Sequence, residues 1–241
     1  MQTEKLVFII ISVLTVVIFG GIFASSFKND KVANTSGTDV VGSDPHTIGS
    51  TNPKLTIVEF SDFECPFCAQ ASPVLDGLVN KYKDLALVYR HFPLSIHAGS
   101  IPSARASEAA AMQGKFWEYH DELFANQPNF TVSDLEKYAA DIGLDVEKFK
   151  ADFASPEVAN KVNEDAKLAS TLQLTGTPSF FVVYDGKTEK LNINSFSDVE
   201  SKIIEILGSV DTATTDNTSQ DANSAPISAA IADLVNNQMR P

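Results

Sequence analysis

The chain runs to 241 residues yet holds only two cysteines, Cys65 and Cys68, and a single tryptophan. Two cysteines are too few for a disulfide framework in a chain of this size, and neither has a third thiol to pair with, so whatever they do they do together. Basic residues are scarce as well: 18 Lys and Arg stand against 31 Asp and Glu, a net charge of −13, and no basic run is present that could neutralise a phosphate backbone. A nucleic-acid partner is excluded on that ground. No internal repeat is present, and nothing in the sequence calls for a cofactor. What remains, 44% hydrophobic, is enough for a sizeable core.

The one long apolar run is at the N-terminus. Leu6 to Ala24 carries no charge, and about 19 residues at 1.5 Å each give roughly 28 Å, close to bilayer thickness. Ala24-Ser25-Ser26 also offers a small-x-small cleavage triple, but the run exceeds the usual apolar length of a signal peptide, so residues 1–27 read as an N-terminal membrane anchor or signal, with the uncleaved anchor favoured. Lys5 on one side and Lys28 and Lys31 on the other leave orientation undecided by charge. Residues 28–49, polar and without apolar periodicity, read as a flexible tether that includes His46.

The folded domain is expected over 50–208. LTIVEF (55–60) reads as a buried strand; apolar positions three and four apart from Pro66 to Tyr82 predict a helix with Pro73 inside it; LALVYRHF (85–92) is a second strand. Strand, helix, strand implies a parallel pair with a right-handed crossover. Residues from about 98 to 175 carry only helical patterns, with capping signals at Ser133/Glu136 and Ser155-Pro156-Glu157 and a closing Gly143. SFFVVY (179–184), Asp185-Gly186 and KLNI (190–193) predict a hairpin, and Ser197/Glu200 a last helix ending at Gly208. Residues 209–241 read as a mostly disordered tail with a short helical pattern at ISAAIADLV.

The cysteine pair admits three readings: a staple, half of a metal site, or a redox couple. A disulfide between Cys65 and Cys68 closes so short a loop that it removes little unfolded-chain entropy, which weighs against a staple. Cys65 falls at the N-terminal edge of the predicted helix, where free N–H groups and partial positive charge stabilise a thiolate, and Cys68 lies one turn in on the same face. That arrangement suits a nucleophilic thiol with a resolving partner. A metal site would need further ligands, for which His91, His97 and His120 are available, though their spacing matches no defined ligand pattern. Glu59, a carboxylate in an otherwise apolar strand, needs a partner or a task. Trp117, Tyr119 and Phe124 are expected to pack the helical block.

EFSDFECPFC (59–68) after a strand, Pro73, Thr177-Pro178 opening a later strand, RHFPL (90–94) and FWEYHDELFANQ (116–127) together resemble the DsbA-like thiol-disulfide oxidoreductases of the bacterial cell envelope. The resemblance implies an α/β thioredoxin-like fold with an inserted α-helical domain, here preceded by one transmembrane helix. It implies Cys65 as the attacking thiol and Cys68 as its partner. Pro178 would be a cis proline facing them, and Glu59 a buried acid serving the inner thiol. Thr177, with Pro66 and Phe67, would meet an extended substrate segment. It further implies a monomer held in the cell membrane by a single pass with its catalytic domain outside the cytoplasm, reduced secreted proteins as substrates, and a membrane quinone-linked partner that reoxidises the pair. Phe67 departs from the His that the best-known envelope oxidases carry there, implying a less oxidising couple. A reductase or isomerase, and a copper-binding thioredoxin-fold carrier, are the alternatives.

Overall fold

The computed structural model describes residues 40–214, with side chains described to residue 208. The expected anchor at Leu6–Ala24 and the pattern at ISAAIADLV lie outside the described residues, among which no helix is long and apolar enough to cross a membrane. The elements in order are β1 (His46–Gly49), β2 (Leu55–Ser61), α1 (Pro66–Lys81), β3 (Leu85–His91), α2 (Ser100–Ala111), α3 (Phe116–Ala125), α4 (Val132–Asp141), α5 (Val146–Phe153), α6 (Pro156–Thr171), β4 (Ser179–Tyr184), β5 (Lys187–Leu191) and α7 (Phe196–Thr214).

The five strands form one sheet in the order β1-β3-β2-β4-β5. Only β2 and β3 run parallel, as the strand, helix, strand pattern requires; β1, β4 and β5 pair antiparallel to their neighbours. Central β2 is buried along nearly its whole length, so its side chains alternate between two cores rather than between core and water. Leu55 and Ile57 meet Leu75 and Leu78 of α1 and Val199, Ile203 and Ile206 of α7, while Val58 and Phe60 meet Val88, Phe181, Ala169 and Leu174 on the opposite face. The period-2 rule puts Glu59 on the first face, beneath α1. Burying each of these apolar side chains is worth roughly 1.5–3 kcal/mol, so a few of them offset a carboxyl carried inside.

Helices α2 to α6 make a block of their own between β3 and β4, packed on Phe63, Tyr89, Phe116, Tyr119, Leu123 and Phe149. Tyr119 is fully buried there, whereas Trp117 is only partly buried and donates its indole N–H to the Thr47 carbonyl at 3.2 Å. Ser155 caps α6 as expected, accepting from the Val158 N–H at 3.2 Å.

Four expectations need correction. Residues 40–49 already belong to the fold and are no tether: Val40 is fully buried, and His46–Gly49 form β1. β1 escapes sequence reading because three of its four residues are exposed at a sheet edge, so it shows no apolar alternation. Gly49 must be glycine there: at φ +98 a Cβ would lie 2.6 Å from the Leu85 carbonyl oxygen. Second, α4 is capped by Thr131 and Asp134, not Ser133 and Glu136. Third, α7 is capped by Asp198, which accepts from the Asn194 and Ser195 N–H groups, and it continues through Gly208 to Thr214. Glu200 instead pairs with Lys81 at 2.6 Å. Fourth, β5 starts at Lys187, because Asp185 and Gly186, at φ 46 and 71, form a two-residue turn that sets Lys187 opposite Tyr184.

Candidate active site

The site is assembled where β2 ends. Leaving the sheet at Ser61, the chain turns so that the Asp62 carbonyl accepts the Cys65 N–H at 3.0 Å, and α1 starts at Pro66 with Cys65 as its N-cap. Proline is suited to that first helical position, where its missing N–H loses nothing. The Asp62 carboxylate is buried and holds the surrounding loop: Oδ1 accepts the Glu64 N–H at 2.9 Å, Oδ2 accepts the Leu94 N–H at 3.0 Å and lies 2.8 Å from Nδ1 of His97, and the Ser100 hydroxyl donates to it at 2.6 Å. Gln127, just after α3, donates from Nε2 to the carbonyls of Phe63 and Cys65 at 2.5 and 3.1 Å, fastening the helical block to the cysteine loop.

Both thiols are free and buried, Cys65 with 4% of its surface exposed and Cys68 with none. The Cys65 thiol donates to the Thr177 carbonyl at 3.3 Å. Thr177 precedes Pro178 across a cis peptide bond at the start of β4. Phe67, between the cysteines, is 63% exposed. The structure therefore gathers Cys65, Pro66, Phe67, Cys68, Thr177 and Pro178 at one place.

The two sulfurs differ electrostatically. The Cys65 thiol is lowered from 9.0 to about 5, first by a hydrogen bond from the Cys68 thiol and then, against burial, by the N–H groups of Cys68 and Phe67. The helix terminus thus contributes as the sequence suggested, but the neighbouring thiol contributes more. Cys68 is pushed far above the thiol range by burial, by its bond to Cys65 and by the charge of Glu59. Burial also raises Glu59 from 4.5 to about 8, despite the Ser61 hydroxyl that donates to it at 2.9 Å. Ser61 touches the Cys68 thiol as well, so one hydroxyl stands between the buried acid and the inner sulfur. Sequence reasoning missed Ser61, although i and i+2 on a strand share a face with Glu59. It also missed Asp62 and Gln127, whose partners are set by tertiary folding.

The histidines do not join the cysteines as ligands. His97 pairs with Asp62, His120 with Asp121 at 2.8 Å and His91 with Glu108, and among the described residues no group placed to hold a metal includes Cys65 or Cys68.

A family model described as thioredoxin matches residues 42–200. The chain belongs to the thioredoxin family. Among solved structures, this thioredoxin-family chain is similar to a thioredoxin-like oxidoreductase from Silicibacter pomeroyi DSS-3, at 28% identity and a TM-score of 0.62 over 74% of this chain and 99% of the other. It shares its fold with Pseudomonas aeruginosa DsbA2 (24% identity, TM-score 0.58, 68% and 96% covered). The same holds for oxidised BdbD from Bacillus subtilis (23% identity, TM-score 0.61, 75% and 100% covered). A curated relative, the Na(+)/H(+) antiporter NhaA 1 of Mycobacterium sp. (strain KMS), is 44% identical over 149 residues, covering 60% of this chain and 24% of that protein. The thioredoxin-family chain spans about a quarter of the length of the curated relatives it matches.

Proposed function

We propose that the chain is a disulfide oxidase, membrane-tethered through Leu6–Ala24 and acting on reduced proteins outside the cytoplasm. The observation that carries this reading is the asymmetry of the thiols: Cys65 ionises near pH 5 while Cys68 stays protonated and donates to it. A couple whose reduced form is held by a stabilised thiolate is oxidising.

In the reaction a substrate thiolate attacks the Cys65 sulfur of the oxidised pair. The Cys65–Cys68 bond breaks, Cys68 leaves as a thiolate, and a proton from Glu59 passed through Ser61 neutralises it. A second substrate thiolate then attacks the substrate sulfur of the mixed disulfide, and Cys65 departs as the stable thiolate. The substrate loses two electrons, which the pair retains until a quinone-linked membrane partner accepts them. An extended substrate segment pairs with the backbone at Thr177 beside Pro178, with Pro66 and exposed Phe67 forming the other wall. The name of the antiporter relatives states ion exchange for proteins of which the matched 149 residues are only 24%, and the reading here rests on the cysteine pair instead.

Refolding of a reduced, unfolded substrate with catalytic amounts of the full chain tests the proposal. Acceleration that Cys65→Ser abolishes is expected. Activity confined to scrambled disulfides would replace the oxidase with an isomerase.

A further inference from the structure

Away from the cysteines, three ligand-bearing side chains from three elements converge. His46 of β1, His91 at the end of β3 and Glu108 of α2 each bring one ligand atom within 4.8 Å of the other two. Nε2 of His46 lies 2.7 Å, and Nε2 of His91 2.8 Å, from the same carboxylate oxygen, Oε1 of Glu108. Both rings are held in place. His46 stacks on Phe116 with centroids 3.6 Å apart and planes 5° from parallel, and the His91 ring packs edge-on against Tyr89 with centroids 5.2 Å apart, its backbone N–H fixed by Asp165 at 2.9 Å. Oε2 of Glu108 takes no hydrogen bond from the described residues. His46 and Glu108 also line a cavity of about 460 Å³ whose wall carries Glu118 and Glu157 together with Asp44, which pairs with Lys161 at 3.4 Å, so the entry from solvent holds more acidic than basic groups.

We infer that His46, His91 and Glu108 bind a borderline divalent metal cation, with zinc(II) as the reference, its fourth position open to the cavity. Two imidazoles and one carboxylate are the donor set of open, three-ligand zinc sites. Calcium and magnesium want oxygen ligands throughout, and copper(I) wants sulfur, so neither suits this set. Tetrahedral zinc with bonds of 2.0–2.2 Å separates its ligand atoms by roughly 3.3 Å, so the two nitrogens must each withdraw from Oε1 by about half an ångström. Rotation of the Glu108 side chain supplies that. A bound ion would tie the edge strand β1 to β3 and to the helical block. Because it binds only the assembled site, it raises the unfolding temperature.

The test uses the full chain carrying Cys65→Ser and Cys68→Ser, so that no thiol can take the metal, stripped with a chelator and titrated with zinc against a chromophoric competitor. One zinc per chain and an upward shift of the unfolding midpoint are expected, with no shift from calcium or magnesium. His46→Gln, on a partly exposed edge strand, should weaken binding at least tenfold and remove the shift. Failure to take up zinc, or uptake indifferent to His46→Gln, overturns the site and leaves only a hydrogen-bonded triad. Should His46→Gln not fold, cobalt(II) in the parent decides: visible bands of a nitrogen and oxygen tetrahedral site support the inference, and their absence defeats it. The thiols being absent, none of these outcomes bears on the redox reading.

Discussion

The sulfur of Cys65 sits 3.3 Å from the carbonyl oxygen of Thr177, a residue 112 positions further along the chain. That contact joins the start of α1 to the start of β4. In the proposed reaction it would hold the attacking sulfur at the backbone edge on which an extended peptide lies, so that substrate binding and sulfur chemistry would share one surface.

Alkylation of the reduced protein with iodoacetamide should therefore follow Cys65 alone, with a midpoint near pH 5 rather than the ordinary 9.0, while buried Cys68 stays unmodified until the protein unfolds. Since the Cys68 thiol is the largest influence lowering Cys65, Cys68→Ala should move that midpoint upward, though not all the way, because the N–H groups of the helix start remain. A midpoint unmoved by Cys68→Ala would assign the whole effect to the helix. The linkage has a definite sign. A depressed thiol stabilises the reduced fold fully above the unfolded value of 9.0, and that stability is lost as pH falls through about 5. The oxidised form, with no thiolate, lacks this dependence, so the gap in melting temperature between reduced and oxidised protein should widen as pH rises between those limits.

Glu59 acts in the opposite direction. Its folded value, about 8, lies above the unfolded 4.5, so the buried carboxyl costs nothing below 4.5 and progressively more as pH climbs to about 8, to a ceiling of ~5 kcal/mol. Glu59→Gln should accordingly leave stability near pH 4.5 little changed and raise it at alkaline pH, read from urea unfolding. The same variant should slow release of Cys68 from the disulfide, because Ser61 then has no acid behind it. A variant whose stability tracks the parent at every pH would mean the carboxyl is solvated.

How far the sequence reveals this architecture depends on the range of the interaction concerned. The parallel β2–β3 pair, α1 with Pro66 at its first position, the Asp185-Gly186 turn and the Ser155 cap were all legible, because each is fixed by neighbours within a few residues. The sequence points two residues late to both helix starts for one reason: Thr131/Asp134 and Ser195/Asp198 precede Ser133/Glu136 and Ser197/Glu200 at identical spacing, and only the folded backbone says where the helix turns extended. β1 was not legible, since an exposed edge strand has no apolar alternation to display. For the same reason His46 read as part of a tether, although the fold sets it against Glu108 across 62 residues. At the site, the two cysteines carried a motif; the residues that hold their loop, Asp62 and Gln127, carried none.

Gln127 provides a test of that holding role. Its amide satisfies two carbonyls of the cysteine loop from across the helical block. Gln127→Ala removes this donor from the Phe63 carbonyl, a loss of about 1–3 kcal/mol, while the Cys65 carbonyl keeps the Ala69 N–H at 3.2 Å. Because neither bond reaches a sulfur, the alkylation midpoint of Cys65 should hardly move while the urea midpoint falls. A large change in thiol acidity without loss of stability would contradict this assignment.

The buried pair between Arg90 and Asp165, 3.1 Å apart, joins β3 to α6 and so anchors the other side of the block. Asp165 also accepts the His91 N–H, so Asp165→Ala strips a buried guanidinium and a buried amide of their partner at once. Breaking such a pair from one side typically costs 3–5 kcal/mol, more than removing Gln127. Replacing both residues with apolar ones of similar volume should recover much of it, measured by chemical denaturation of the three variants. Equal losses in the single and double variants would show that the pair contributes through packing alone.

Phe67 bears on the direction of electron flow. It projects into solvent within the first turn of α1, beside the thiolate it can neither charge nor bond through its ring. Phe67→His introduces an N–H donor, cationic in part at neutral pH, at the positive end of the helix, where it favours the ionised Cys65 and thus the reduced form. About 1.4 kcal/mol of extra stabilisation of the reduced pair corresponds to ~30 mV, so equilibration with glutathione should show a shift of tens of millivolts toward a more oxidising couple. The alkylation midpoint should fall in parallel, because both readouts report the same thiolate. No shift, or a shift toward a more reducing couple, would mean that the thiolate is governed by Cys68 and the backbone alone.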